Sequence, residues 1–394
     1  MSSKMTTACI AAVAAVAAVS SVVGLLTWAV HQAVRLDYRR RYDLVSGRVT
    51  DHAIDLPITR RTIEPGTFGL HIAGGDEPAV VGDVVSMTTT AVQRRLLHRP
   101  LALSQGSQCR WSGITAIFPE SEYKDVVLET SLGPAPAWIV NGGSDVWAVH
   151  VHGQGSDRRQ TLRGLKTATS LDLTSLVITY RNDGEGPSAS DGRSHLGETE
   201  WQDLEDALRF IAAQGGTKCV IFGWSLGATI AINTTQRSSL GGMIRGIVMV
   251  APALRWEDVF RANARHQGWP GFLGSFVTSL ISANRTSRLL GFSETIDVKG
   301  ADASRLEMPI EVPILILHSK NDWSVPIETS RRLAYRRSEK VELVEFDCSG
   351  HTQEWNSDPV GWDLAVRRWY ERCFHTGTAH KKSANSADGH SNGV

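Results

Sequence analysis

The sequence predicts an α/β fold: a mostly parallel sheet with helices on both faces and a small helical cap, preceded by an N-terminal transmembrane helix. Three observations carry that reading. From residue 146 onward, short apolar runs alternate with amphipathic stretches, the pattern of a parallel sheet covered on both sides. The alternation breaks once, over about residues 252–306, where apolar side chains such as Trp256, Phe260, Phe272, Phe276 and Leu280 recur at loosely helical spacing. Ahead of everything, residues 8–30 carry no charged side chain. A helix of that length covers about 35 Å, enough for a hydrocarbon core of about 30 Å.

The anchor over residues 8–30 has a rival. Its Ala-rich run offers small-residue cleavage sites, as a signal peptide would. Against that, the apolar stretch exceeds a signal core and only Lys4 precedes it as a basic residue. Arg35, Arg39, Arg40 and Arg41 follow it, so the excess of basic side chains places the C-terminal bulk in the cytoplasm, a single-pass membrane protein. Residues 31–110 are read as a juxtamembrane segment and a β-rich addition. The basic part either lies on anionic headgroups or is a solvated linker. Strand-like Val80–Val85 and the turn signals Glu64-Pro65-Gly66 and Gly74-Gly75 mark the rest. The main domain is read over residues 111–375, with its cap at about 252–306. Residues 376–394 are small and polar, the composition of a disordered tail.

Within the main domain, Val146–Val151, Ser175–Tyr180, Cys219–Phe222, Gly246–Val250, Val312–Leu317 and Val341–Phe346 read as buried strands. Lys124–Glu129 reads as an antiparallel strand that starts the sheet. Trp201, Leu204, Leu208 and Ile211 recur at helical spacing, with Thr199 and Gln202 as a capping box and Gly215-Gly216 as the stop. Asp358-Pro359 opens a last helix running to about Phe374.

The chemistry is concentrated in Gly223-Trp224-Ser225-Leu226-Gly227. This reads as a tight strand-to-helix turn that lifts a serine hydroxyl above a sheet, with glycines where side chains would collide. The pentapeptide is a weak signal by itself; its context, an apolar strand before and a helix start after, strengthens it. A serine hydroxyl needs a base, and the base needs an acid to fix its tautomer. His351 follows the strand ending at Phe346, and Asp322 follows the strand ending at Leu317, where open α/β sheets gather functional groups. Asp347 is the rival acid, four residues before His351. An oxyanion requires two amide donors. Leu226 supplies one. The loop His152-Gly153-Gln154-Gly155 after the strand at 146–151 supplies the other, from Gln154 first and Gly153 second. His150 and His152 could be read as metal ligands, but no third ligand stands at a recognisable spacing. No metal or organic cofactor is implied.

Composition narrows the partners. Forty-one Lys and Arg balance forty-one Asp and Glu, and no basic patch with interleaved aromatics points to nucleic acid. The five cysteines, Cys9, Cys109, Cys219, Cys348 and Cys373, are scattered and odd in number, which argues against a disulfide framework. Cys348 lies near His351 but lacks an elbow and reads as structural.

Residues from about 140 to 375 resemble the α/β-hydrolases. The stretches that carry the resemblance are Val149-His-Val-His-Gly-Gln-Gly155, Thr179-Tyr-Arg-Asn-Asp-Gly-Glu-Gly186, the elbow, His318-Ser-Lys-Asn-Asp322 and Gly350-His351. The closer likeness is to membrane-anchored bacterial members of the monoglyceride-lipase-like and serine-aminopeptidase-like branch. The resemblance implies the α/β-hydrolase fold, Ser225, Asp322 and His351 as a triad, and Leu226 and Gln154 as oxyanion donors. It does not carry a substrate, because this fold hosts many reactions; a serine nucleophile argues only against dehalogenases, which use Asp. The expected activity is cleavage of a small-molecule or lipid-like acyl ester through an acyl-enzyme. The alternatives are a peptidase of aminopeptidase type and a catalytically silent binding protein. Oligomeric state is not readable.

Overall fold

Alternation of buried and exposed side chains builds the first sheet. In the computed structural model, which describes residues 42–114, 122–298, 311–348 and 350–374 together with 24, 28 and 30, six antiparallel strands form it. They are β1 (Leu44–Val45), β2 (Ala53–Pro57), β3 (Phe68–Ile72), β4 (Ala79–Met87), β5 (Ala91–His98) and β6 (Gln108–Ser112), in the order β1-β6-β3-β4-β5-β2. Along β5, Val92, Arg94 and Leu96 all turn inward, the period-2 signature of a sheet with one buried face. The sheet continues through Ser112, so the boundary expected after residue 110 falls inside β6. Its core gathers Ile54, Leu56, Phe68, Leu70, Val81 and Trp111. Arg94, fully buried, donates to the carbonyls of Thr62, Glu64, Gly66 and Gly82. Its guanidinium lies over the rings of Phe68 and Trp111.

The second sheet has eight strands in the order β14-β13-β12-β11-β9-β10-β8-β7. A hairpin of β7 (Lys124–Thr130) and β8 (Gly133–Val140) forms one edge, and β8 pairs antiparallel with both β7 and β10. Six strands then pair in parallel: β9 (Val146–Val151), β10 (Thr174–Ile178), β11 (Lys218–Trp224), β12 (Ile244–Val250), β13 (Ile314–Ser319) and β14 (Val341–Phe346). The strand β11 is buried on both faces, which is why it reads as one apolar run. Cys219 and Ile221 point into one core cluster, and Val220, Phe222 and Trp224 into the other. The first cluster is covered by α2 (Trp201–Ala213) and α3 (Leu226–Arg237). The second is covered by α1 (Leu162–Ser170) and by the last helix, whose Trp362 and Trp369 are buried.

One expected detail is not formed. The hydroxyl of Thr199 meets His195 Nδ1 at 3.1 Å, so it does not cap α2, whose N-cap Glu200 makes no side-chain cap bond. The Glu200 carboxylate instead accepts from His195 N and Gly197 N in the preceding loop.

The cap comprises α4 (Trp256–His266), α5 (Phe272–Ser282) and α6 (Asn284–Leu289). Polar ties hold it down. Trp256 Nε1 donates to Leu196 O at 3.0 Å, Asn263 Nδ2 to Ser324 O at 3.1 Å, and Ser293 N to Asp191 Oδ2 at 2.8 Å. Beyond it, α7 (Glu328–Arg336), α8 (Glu354–Ser357) and α9 (Pro359–Phe374) follow among the described residues. Asp358 Oδ1 accepts from Gly361 N and so caps α9.

The anchor expected over residues 8–30 lies outside the described residues, except for Gly24, Trp28 and Val30, which are helical. Val30 is buried in the core beneath the eight-stranded sheet. Among the described residues no helix is long and apolar enough to cross a membrane. The basic segment 31–41 and the tail 376–394 also lie outside the described residues.

Candidate active site

The loops that carry the expected site residues all leave the C-terminal ends of parallel strands. Ser225 follows β11, with β9 and the loop after it on one side. Asp322 lies just past β13, and His351 just past β14.

Close backbone packing explains the elbow. A Cβ on Gly223 would sit 2.6 Å from Gly227 O, and one on Gly227 would sit 2.2 Å from Val151 O. The turn between these glycines forces Ser225 to φ 52° and ψ −108°. Ser225 N donates to Val250 O at 2.9 Å, which fixes the turn on the neighbouring strand.

The structure brings Ser225, His351 and Asp322 into one chain of hydrogen bonds. His351 Nε2 lies 2.9 Å from Ser225 Oγ, and His351 Nδ1 lies 2.6 Å from Asp322 Oδ2. An ionised carboxylate only accepts, so Nδ1 carries the proton and Nε2 turns its lone pair toward the serine hydroxyl. Asp322 Oδ1 accepts from Ser324 N and Val325 N at 2.8 and 3.0 Å. Burial pushes the Asp322 carboxyl up, but the charge of His351 and hydrogen bonds from His318 and His351 outweigh it and hold it well below the usual carboxylate range. His318 opens the motif that ends at Asp322, and the fold gives it a part in the site. Its Nε2 stands 3.5 Å from Asp322 Oδ2, and its ring is fixed by Ser330 Oγ and Val325 O. The rival acid Asp347 points away. Its exposed carboxylate pairs with Lys320 at 3.2 Å. Burial pushes the Cys348 thiol up to about 12, which leaves it protonated and unreactive.

The side expected to receive an oxyanion is built from two loops. Leu226 is the first residue of α3, so its N–H has no intrahelical acceptor and points out of the helix start. Across from it, a Cβ on Gly153 would lie 3.1 Å from Ser225 Cβ, which is why this position lacks a side chain. Gly153 N donates to Gln160 Oε1 at 2.7 Å. Gln160 also reaches Thr352 Oγ1 at 3.4 Å, tying the loop after β9 to the residue after His351. His152 and His150 take separate structural roles. His152 Nε2 lies 2.9 Å from Asp183 Oδ2 and its ring stacks on Tyr180, while His150 stacks on Phe222. Asp183 further accepts from Tyr180 N, Glu185 N and Gly186 N, which accounts for the Tyr180–Gly186 motif.

Sequence reasoning missed Gln160, Arg163, Glu354 and Asn356. Arg163 is buried in α1, donates to Thr352 O at 2.6 Å, and lies over the Trp224 ring at 4.4 Å. Glu354 Oε1 accepts from Ser319 N at 2.9 Å; burial pushes its carboxyl up to about 7.

A fold of this topology, with a serine elbow facing a histidine and a carboxylate, defines an α/β-hydrolase. A family model described as "Alpha/beta hydrolase family" matches residues 148–362, more than half of the chain, and the chain belongs to that family. A model described as "Domain of unknown function (DUF8805)" matches residues 46–112, the six-stranded sheet. The human Protein ABHD12B is 26% identical over 217 residues, 50% of this chain and 53% of that protein, so the match spans about half of each. Among solved structures, an esterase from Pyrococcus furiosus aligns with a TM-score of 0.48 at 19% identity, over 64% of this chain and 91% of its own. Mouse alpha/beta hydrolase domain-containing protein 10 aligns with 0.48 at 15% identity, over 63% and 99%.

Proposed function

We propose that this chain is a membrane-anchored serine hydrolase that cleaves carboxylic esters through an acyl-enzyme on Ser225. The observation that carries the reading is the unbroken run Asp322–His351–Ser225 facing the N–H of Leu226. As Ser225 Oγ attacks the ester carbonyl, His351 Nε2 takes the hydroxyl proton. The N–H groups of Leu226 and Gln154 receive the charge that develops on the carbonyl oxygen. Collapse of the tetrahedral intermediate expels the alcohol, which takes the proton from His351. Water then repeats the sequence on the acyl-enzyme, with His351 as base, and releases the acid. Asp322 stays ionised throughout and holds the imidazole in the tautomer that keeps Nε2 free to accept.

An ester substrate is favoured over an aminoacyl amide. An aminopeptidase needs acidic groups available to a substrate amine, and two of the cap's acidic residues, Glu257 and Asp258, are engaged with arginines. Glu257 pairs with Arg255 at 3.0 Å, and Asp258 with Arg255 and Arg332 at 3.3 and 3.0 Å. Trp269, Phe272, Phe276 and Trp323 are exposed apolar groups on the cap and beside Asp322, suited to an acyl chain. The uncharged segment 8–30 and the arginines after it complete the proposal: an anchor that holds the hydrolase at the cytoplasmic face of a bilayer. The test is a panel of p-nitrophenyl esters against aminoacyl amides. Each buried methylene gains about 0.8 kcal/mol, so kcat/KM rises about tenfold for two added methylenes until the pocket is full. Preference for acetate, or cleavage of aminoacyl amides alone, contradicts the acyl-ester reading.

A further inference from the structure

The N-terminal sheet touches the hydrolase where its geometry matters most, at the short helix α8 that begins three residues after His351. The contact centres on Asn356, which is fully buried. Its Nδ2 donates to Thr67 O at 2.7 Å and to Gly113 O at 2.9 Å, and its own carbonyl accepts from Thr67 N at 2.8 Å. Both side-chain donors are thus used on the backbone of the N-terminal unit and its exit. The remaining side-chain oxygen, Oδ1, accepts from Arg163 Nη1 at 2.5 Å. The same Arg163 nitrogen donates to Thr352 O at 2.6 Å, and the guanidinium lies 4.4 Å from the Trp224 ring. Thr352 follows His351 directly, and Trp224 precedes Ser225 directly.

Both ends of this run are conformationally demanding. Thr352 has φ 56°, a left-handed conformation that costs a β-branched residue about 1–3 kcal/mol and persists only where its surroundings hold it. The hold on its carbonyl is Arg163. At the other end Gly66 has φ 112°, and a Cβ there would lie 2.1 Å from Asn356 O, so the sheet approaches α8 as closely as a backbone can. The loop carrying Gly66 is itself pinned from inside the sheet, because Arg94 donates to Thr62 O, Glu64 O and Gly66 O at 3.0, 2.5 and 2.8 Å. Buried, fully used polar groups of this kind fix geometry, since leaving any one of them unpaired is costly.

We propose that the N-terminal six-stranded sheet is a positioning unit for the hydrolase site, acting through Asn356, which ties the Gly66–Thr67 edge to Arg163 and so to the backbone beside His351 and Ser225. The inference rests on the serine-hydrolase reading for its kinetic consequence and on the hydrogen-bond run alone for its structural one. Asn356 and Arg163 act through other residues; neither meets the substrate.

The test uses the full chain and two variants. Gly66→Ala places a methyl group against Asn356 O from within the N-terminal unit and touches neither Ser225 nor His351. Asn356→Asp sets a carboxylate against two carbonyls while it keeps an acceptor for Arg163. In both, amide hydrogen exchange over residues 350–357 is expected to rise while β9 to β13 keep their protection. With p-nitrophenyl butyrate, kcat is expected to fall about 10- to 100-fold with KM within about twofold, the pattern of a misplaced base. The double variant is expected to be no slower than the worse single variant, because both break one run. Unchanged exchange over 350–357 in either folded variant overturns the proposal, whether or not the chain cleaves esters. Raised exchange with unchanged kcat overturns it too, because the coupling then stops short of His351. If the wild-type chain proves inert to fluorophosphonates while exchange responds as expected, the hydrolase reading fails and the structural coupling stands.

Discussion

Ser225 holds a left-handed backbone conformation that costs a residue with a side chain about 1–3 kcal/mol. The strain is sustained by the Val250 carbonyl on one side and by two glycines that let three backbones meet on the other. It presents Oγ to His351 with only 9% of the residue exposed. At the same scale the two candidate acids separate cleanly. Asp322 is buried, accepts two backbone N–H bonds and meets His351; Asp347 is exposed beside Lys320. Asp322→Asn keeps the turn but offers an amide N–H to Nδ1, so the imidazole proton moves to Nε2 and the base is lost. Turnover should fall on the order of 10⁴-fold with folding retained, whereas Asp347→Asn should stay close to wild type. Steady-state ester kinetics on the two purified variants read this directly, and the reverse ranking would reassign the acid.

The short helix α8 shows how an element unremarkable in sequence shapes the site. Its Glu354 is fully buried, with Oε1 on Ser319 N and no hydrogen-bond partner for Oε2 among the described residues. Burial pushes its carboxyl from an ordinary 4.5 up to about 7, against the attraction of His318 and with Asp322 adding to the rise. The folded chain therefore keeps a proton that the unfolded chain releases between those two values. Stability from this group is complete below about pH 4.5 and is lost as pH rises through about 7. Glu354→Gln mimics the neutral carboxyl, so its stability advantage over wild type should grow across that window to roughly 3 kcal/mol. Denaturant unfolding at pH 5 and pH 8 measures it, and a pH-independent difference would remove the assignment. None of this was legible in the chain. Ser225, Asp322 and His351 each follow an apolar strand, so local pattern singles them out, and the fold brings them within hydrogen-bond reach of one another. Gln160 and Arg163 reach Thr352 and Asn356 across separations of 192 and 193 residues, and only the tertiary fold gives such ordinary side chains a role. The Thr199–Gln202 capping box failed for a related reason, since His195 takes the Thr199 hydroxyl through a loop that folds back on α2.

Across the whole molecule, the parallel strand order gathers loops that are far apart in sequence at the C-terminal ends of the strands, and strand alternation with helices was enough to read that order of events. The β8 hairpin, the cap helices and the six-stranded N-terminal unit were harder, because short antiparallel strands separated by turns carry a weak pattern and say little about which sheet they join. The N-terminal unit closes on α8 through Asn356, so the molecule is built as two sheets that meet behind the base rather than as a hydrolase with a free appendage. On the reading proposed above, this assembly serves to make Ser225 a nucleophile. The most direct measurement is intact-mass and peptide mapping of the full chain after treatment with a fluorophosphonate. A single adduct is expected on the peptide containing Ser225, absent in Ser225→Ala and retained in Asp347→Asn. A folded wild-type chain that takes up no adduct, or a Ser225→Ala chain that labels as wild type does, would contradict it.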